Sequence, residues 1–162
     1  MQGETKNKIK VYVIAILIPL VVGALSAFLT MGNMSMFDEV NTPPLLPPAI
    51  FFPIVWSVLY VLMGISSGTV WLRAKESPIG KDTGLFYYGV SLFFNFAWSI
   101  VFFNLRWFLF AFIWLLVLLY LIIKTILGYK NYSPVAAYLQ IPYVLWVAFA
   151  GYLNFGIWFL NR

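Results

Sequence analysis

The chain has 162 residues, 63% of them apolar, against only 10 basic and 5 acidic ones; a soluble domain is roughly 45–50% apolar and about a quarter charged, so lipid must cover most of this surface. With neither Cys nor His, disulfides, thiolate nucleophiles, iron–sulfur clusters, the usual zinc and haem ligation and a Ser/His/Asp triad are all excluded. The net charge of +5 comes from basic residues scattered singly between apolar runs, and no basic face for a nucleic acid results.

Five apolar runs follow in order. A membrane-spanning helix takes about 20 mostly apolar residues. The runs read as helices because a barrel strand would alternate in hydropathy, and they do not. The first covers 9–29 and is preceded by Lys6, Lys8 and Lys10; it is long for a signal sequence and ends without a small-x-small cleavage site, so we read it as a span. The connection 31–48 carries Asn33, Asp38, Glu39, Asn41 and Pro43, Pro44, Pro47 and Pro48; prolines forbid helix continuation, which predicts a semi-rigid cap. The remaining spans are 49–72, 85–103, 107–127 and 135–160. Pro19, Pro53 and Pro142 fall inside spans, where kinks are expected. Gly64 and Gly68 form a small-xxx-small step in span two, and Gly23 with Ala27 a looser one in span one; such faces let helices approach closely, within or between protomers. The prediction is all-α: one integral membrane domain over 1–162, a bundle of five transmembrane helices.

With the amino terminus inside, that side holds Lys6, Lys8, Lys10, Arg73, Lys75, Lys81, Lys124 and Lys130, and the opposite side only Arg106 and Arg162. The positive-inside rule then places the amino terminus in the cytoplasm and the carboxyl terminus and proline-rich cap outside.

A rise of 1.5 Å per residue puts Trp56 roughly 10–12 Å below the outer end of span two, Tyr60 one turn deeper, Asn95 about 12 Å and Trp98 about 8 Å below the outer end of span three. Ala150 and Asn154 occupy the same outer half of span five, with Trp146 a turn deeper. Trp71, Trp107 and Trp158 stand near span ends and are explained as interfacial anchors. Trp56, Trp98, Trp114 and Trp146 lie nearer mid-span, where an indole N–H needs a partner or lines a cavity. Asn95 and Asn154 should face the interior, either bonding another helix or offering a polar handle to a bound molecule. The spans contain no Asp or Glu, and Lys124 is close enough to an end to snorkel. Ion-coupled transport and acid–base hydrolysis are therefore disfavoured, and an apolar, aromatic pocket for a flat hydrophobic ligand is what remains.

The stretches PPAIFFPIVWSVLYVLMG (Pro47 to Gly64), NFAWSIVFFNLR (Asn95 to Arg106) and PYVLWVAFAGYLNFGIW (Pro142 to Trp158) resemble the TspO/MBR family, which comprises the tryptophan-rich sensory proteins of bacteria and the mitochondrial translocator proteins, or peripheral benzodiazepine receptors. The resemblance covers nearly the whole chain. It implies a five-helix bundle, often a homodimer, with a pocket beneath the loop between the first two helices that takes porphyrins such as protoporphyrin IX, isoquinoline carboxamides, benzodiazepines and, in animals, cholesterol. By motif position the ligand-binding set is Trp56, Tyr60, Asn95, Trp98, Phe102, Tyr143, Trp146, Phe149, Ala150 and Leu153. The tryptophans matching Trp56 and Trp146 are associated in some bacterial members with light-dependent porphyrin breakdown, which makes them the catalytic candidates if photochemistry occurs. Two departures stand out. Leu45 occupies the place of the tryptophan in the family's WxPP pattern, removing a stacking surface from the cap. Leu153, Phe155 and Arg162 only partly reproduce the sterol motif of animal members, which is weak in any case.

The expected function is thus a receptor or sensor binding a tetrapyrrole or similar flat ligand, with a photo-oxidative porphyrin-degrading enzyme or a tetrapyrrole transporter as alternatives. No cofactor or metal is required. The expected partners are the porphyrin-like ligand, membrane lipid and a second copy of the chain, and the expected location is a bacterial cytoplasmic membrane.

Overall fold

A computed structural model describes residues 2–77 and 82–162. Helices α1 (Gln2–Thr30), α2 (Met36–Glu39), α3 (Phe51–Glu76), α4 (Leu85–Ser99), α5 (Phe108–Lys130), α6 (Pro134–Tyr138) and α7 (Ile141–Leu160) follow one another, with a 3-10 turn at Met31–Asn33 and a π-helical turn at Ile100–Asn104. Five segments are long and apolar enough to cross a membrane, and there is no strand among the described residues. The protein is an all-helical integral membrane protein. Its first helix begins seven residues before the apolar run, so its first two turns carry Glu4, Lys6 and Lys8 beyond the hydrocarbon.

α1 packs on α3 and α4, α4 on α5, and α5 on α7. The α1–α3 contact depends on the small-residue step: a Cβ on Gly64 would run into the backbone of Ile16 and lie 2.8 Å from the Ala15 carbonyl, and one on Gly68 would lie 3.0 Å from the Tyr12 ring. This step therefore serves packing within the chain. Tyr12 and Thr69 add a hydroxyl–hydroxyl hydrogen bond of 3.1 Å across the same interface.

The two ends of the bundle differ in charge. At one, Lys8 bridges Glu4 (3.0 Å) and Glu76 (3.5 Å), Arg73 donates to the Tyr132 carbonyl (3.0 Å), and Asn131 donates to the Asp82 carbonyl (3.0 Å). These links gather the start of α1, the end of α3, the start of α4 and the end of α5, and with them most of the basic residues. Lys81, counted at this end from the sequence, lies outside the described residues.

The other end is covered by the cap. Asn33 donates to Asn104 (2.8 Å), Asn104 to the Leu29 carbonyl (3.0 Å), Arg106 to Glu39 (2.7 Å), and Tyr152 to the Pro44 carbonyl (2.9 Å). Pro43 is buried against Gly156, where a Cβ would approach its ring to 2.7 Å. Leu45 adopts a left-handed backbone, φ 70°, and its side chain is 78% exposed, so it faces away from the bundle.

Two of the expected kinks take another form. Pro53 sits in the first turn of α3 and Pro142 in the first turn of α7, where a missing N–H costs nothing. The fifth span, expected as one helix over 135–160, is interrupted at Leu139 and Gln140. The physical reason is Pro142, whose ring would clash with the Tyr138 carbonyl in a continuous helix. α6 is instead a separate turn, opened by Ser133, whose side chain accepts from the Ala136 N–H, and by Pro134.

Candidate functional site

The break at Leu139–Gln140 shapes the interior. At the basic end α6 seals the space beside α3: Gln140 donates to Ser66 (3.1 Å), and Ser66 donates to the Ala136 carbonyl (2.7 Å). Beyond it, α3 and α7 hardly approach one another at the backbone. Only large side chains reach across that seam.

Trp56 stacks on Tyr60, with ring centroids 5.5 Å apart, and meets Tyr143 edge-on at 6.1 Å. Asn95 joins the two tyrosines: its Oδ1 accepts from the Tyr60 hydroxyl at 3.4 Å, and its Nδ2 donates to the Tyr143 oxygen at 2.8 Å. An amide in hydrocarbon needs such partners, and here it finds one on α3 and one on α7. Trp98 and Asn154 form a second polar link. The Trp98 indole donates to Asn154 Oδ1 at 3.1 Å, and Asn154 Nδ2 donates to the Phe108 carbonyl at 2.7 Å, tying α4, α7 and α5 together. Trp98 also stacks on Phe102 at 5.2 Å. Both asparagines thus bond other helices.

Trp146 behaves differently. Its ring touches Phe52 at 5.9 Å and Phe149 at 5.6 Å, and it is half-buried, yet its indole nitrogen is fully covered and without a hydrogen-bond partner. Beside it lies an apolar groove of about 500 Å³, open toward the membrane, with Val55, Val58 and Leu62 on the α3 side and Pro142, Leu145 and Phe149 on the α7 side. The remaining mid-span tryptophan, Trp114, spends its N–H on the Phe94 carbonyl (2.8 Å) and stacks on Phe94 at 4.3 Å. Its role is in α4–α5 packing.

Of the ten residues expected at the site, Trp56, Tyr60, Asn95 and Tyr143 make one connected cluster, Trp98 and Phe102 a second, and Trp146 and Phe149 a third, while Ala150 and Leu153 are buried on α7. Two residues that the sequence did not single out connect the second and third clusters. Phe37 of α2 reaches Phe52 at 5.8 Å, Phe102 at 6.3 Å and Phe103 at 5.7 Å, and Phe52 in turn touches Trp146. The π-helical turn buries Val101, Phe102 and Phe103 consecutively beneath Phe37. A signal for Phe37 was present in the sequence: it is the one aromatic residue of the stretch 33–41.

At the cap, the Arg106 guanidinium holds the Glu39 carboxyl below its ordinary value, first through the hydrogen bond and then through charge. Arg106 itself has a left-handed backbone, φ 55°, at the reversal between α4 and α5. A non-glycine residue there is strained and persists only where its surroundings hold it. Glu39 is one such restraint.

The model of the TspO/MBR family matches residues 15–159. The chain is 32% identical to protein CrtK of Rhodobacter capsulatus over 139 residues, which span 86% of this chain and 85% of that protein. It is 34% identical to the tryptophan-rich protein TspO of Chlorobaculum tepidum over 119 residues, 71% and 72% of the two chains. It is also 33% identical to the translocator protein of Bos taurus over 153 residues, 90% and 87% of the two chains.

Proposed function

Because the chain belongs to the TspO/MBR family of membrane proteins, we propose that it is a receptor-type protein that takes a tetrapyrrole, or a similarly flat hydrophobic molecule, between α3 and α7. The observation that carries this reading is the indole N–H of Trp146, buried and unpartnered at the edge of the groove. An unpaired buried donor costs about 1–3 kcal/mol, and a ligand that displaces the side chains covering it and accepts through a ring nitrogen recovers that cost. The groove, about 500 Å³, falls within the roughly 300–1,000 Å³ usual for small-molecule sites. Of the expected aromatic residues Trp146 and Phe149 line the groove, and stacking on them adds about 0.5–1.5 kcal/mol per ring pair beyond area burial. The ligand's carboxylates point to the cap and the outer interface, where polar groups are available.

In this reading Trp146 and Phe149 line the groove, and ligand entry parts the packed aromatic side chains so that Trp56, Tyr60, Asn95, Trp98, Phe102, Tyr143, Ala150 and Leu153 come to line the enlarged site. The protein works as a homodimer in a bacterial cytoplasmic membrane, amino terminus inside. Titration with protoporphyrin IX, followed by quenching of tryptophan fluorescence, tests the proposal: binding is expected to be saturable, and Trp56→Phe/Trp146→Phe is expected to weaken both binding and quenching. Unchanged affinity in that double variant contradicts it.

One observation favours a second reading, a light-dependent enzyme. Trp146 places an indole directly on the groove, within reach of a bound porphyrin as an electron donor once the porphyrin is excited, with oxygen as the co-substrate.

A further inference from the structure

A second groove, unrelated to the first, lies at the basic end between α1, α3 and α4. Its volume is about 380 Å³ and its wall is almost wholly carbon: Val11, Ile14 and Ile18 from α1, Gly68 and Trp71 from α3, and Leu85 from α4. Gly68 keeps its floor low, and Trp71 stands beside it half-exposed. Helix periodicity fixes what stands above the groove on the side of the membrane surface. Lys10 precedes Ile14 and Ile18 by four and eight residues and shares their face of α1. Lys75 follows Trp71 by four residues on α3, and its ammonium lies 4.9 Å from the centre of the Trp71 ring. Both lysines are exposed.

Three other cations of this end are committed elsewhere. Lys8 is held by Glu4 and Glu76, Arg73 by the Tyr132 carbonyl, and Lys124 lies over the Tyr87 ring. Among the described residues Lys10 and Lys75, like Lys6 and Lys130, have no carboxylate partner, and of these four Lys10 and Lys75 stand in register with the groove residues Ile14 and Trp71. Two ammonium groups without counter-charge at the mouth of a purely apolar groove are complementary to one kind of molecule, an amphiphile with an anionic head and an alkyl chain. Basic pockets between membrane helices near the surface recognise lipid head groups on these grounds.

We infer that the α1–α3–α4 groove is a binding site for an anionic phospholipid of the surrounding membrane, with the phosphate met by Lys10 and Lys75 and one acyl chain laid along Ile14, Ile18 and Trp71. The site does not depend on the tetrapyrrole reading, since it shares no residue with the α3–α7 groove.

Trp71 supplies the reporter. The full chain is reconstituted in phosphatidylcholine vesicles containing increasing fractions of either dibrominated phosphatidylglycerol or dibrominated phosphatidylcholine, and the Trp71 contribution is taken as the difference between the protein and Trp71→Phe. Preferential quenching by the anionic lipid is expected, falling about fivefold for each lysine neutralised, so that Lys10→Gln/Lys75→Gln quenches equally with both lipids while Lys10→Arg/Lys75→Arg keeps the preference. Equal quenching of the unaltered protein by the two lipids overturns the proposal. So does a preference that survives both glutamines, or a Trp71 that neither lipid reaches because a second copy of the chain covers it.

Discussion

Asn41 and Asn161 hold one another reciprocally: the Asn41 backbone N–H donates to Asn161 Oδ1 at 2.9 Å, and Asn161 Nδ2 donates back to the Asn41 carbonyl at 2.8 Å. A single amide at the end of α7 thereby fastens the cap, 120 residues away in sequence. Asn161→Ala removes both bonds, each worth about 1 kcal/mol at most at an exposed site, and is expected to raise amide exchange over 40–45 without altering the core. Asn161→Asp retains the acceptor alone and is expected to fall between the two. Equal protection in all three proteins contradicts this role.

The tyrosine–asparagine–tyrosine bridge gives a second prediction. Asn95→Leu leaves the hydroxyls of Tyr60 and Tyr143 without their partner, at a cost of about 1–3 kcal/mol, visible as a lower unfolding temperature in detergent. Replacing both tyrosines by Phe in the Asn95→Leu background removes the orphaned groups and is expected to restore part of the loss. No recovery contradicts the bridge.

Small residues on α3 are graded by what their Cβ would meet. Gly64→Ala forces a shift of the α1 backbone, whereas Gly68→Ala meets a side-chain ring at 3.0 Å. The first is expected to destabilise by about 1–3 kcal/mol, the second by less, in thermal unfolding. The reverse order contradicts the α1–α3 packing described above.

Acid should loosen the cap. Because Arg106 lowers the Glu39 carboxyl below its ordinary 4.5, the linked stabilisation is present above that ordinary value and is lost as pH falls through the lowered one. The pair is exposed, so the effect is confined to the cap and small. Amide exchange near 39 and 106, corrected for its intrinsic pH dependence, is expected to be constant from neutral pH to about pH 5 and to increase in stronger acid. Glu39→Gln is expected to abolish the dependence; persistence in that variant contradicts it.

If Trp146 donates an electron to excited porphyrin, illumination of the complex bleaches the Soret band faster than detergent alone, and Trp146→Phe slows it while Trp114→Phe, whose indole is spent on α4–α5 packing, does not. Bleaching no faster than in detergent excludes the enzymatic reading.

Much of this architecture was legible from residues. The apolar runs located five membrane helices, and the aromatic and amide positions of three of them converge at one depth, as a 1.5 Å rise predicts. What sequence patterns could not resolve was how each polar group is spent. Asn95 and Asn154 look equivalent in a helical register, and both bond other helices, whereas Trp146 keeps an unpaired donor, as do the hydroxyls of Tyr88 and Tyr129, a distinction that depends on contacts between distant segments. Pro142 announced a disturbance, but only the structure shows that it separates a short turn, α6, from α7. Phe37 was hidden in a connection between spans, and its packing depends on a π-helical turn that no propensity scale marks.

The central claim is that ligand occupies the seam between α3 and α7. Val58 lines that groove and is exposed to it, so Val58→Trp fills the space without entering the packed core; Leu17→Trp, on the lipid-facing side of α1, is the matched control. Protoporphyrin IX affinity, measured by equilibrium titration of both folded proteins, is expected to weaken about tenfold or more for Val58→Trp, equivalent to about 1.4 kcal/mol, and to stay unchanged for Leu17→Trp. Equal, undiminished affinity in both variants contradicts the account.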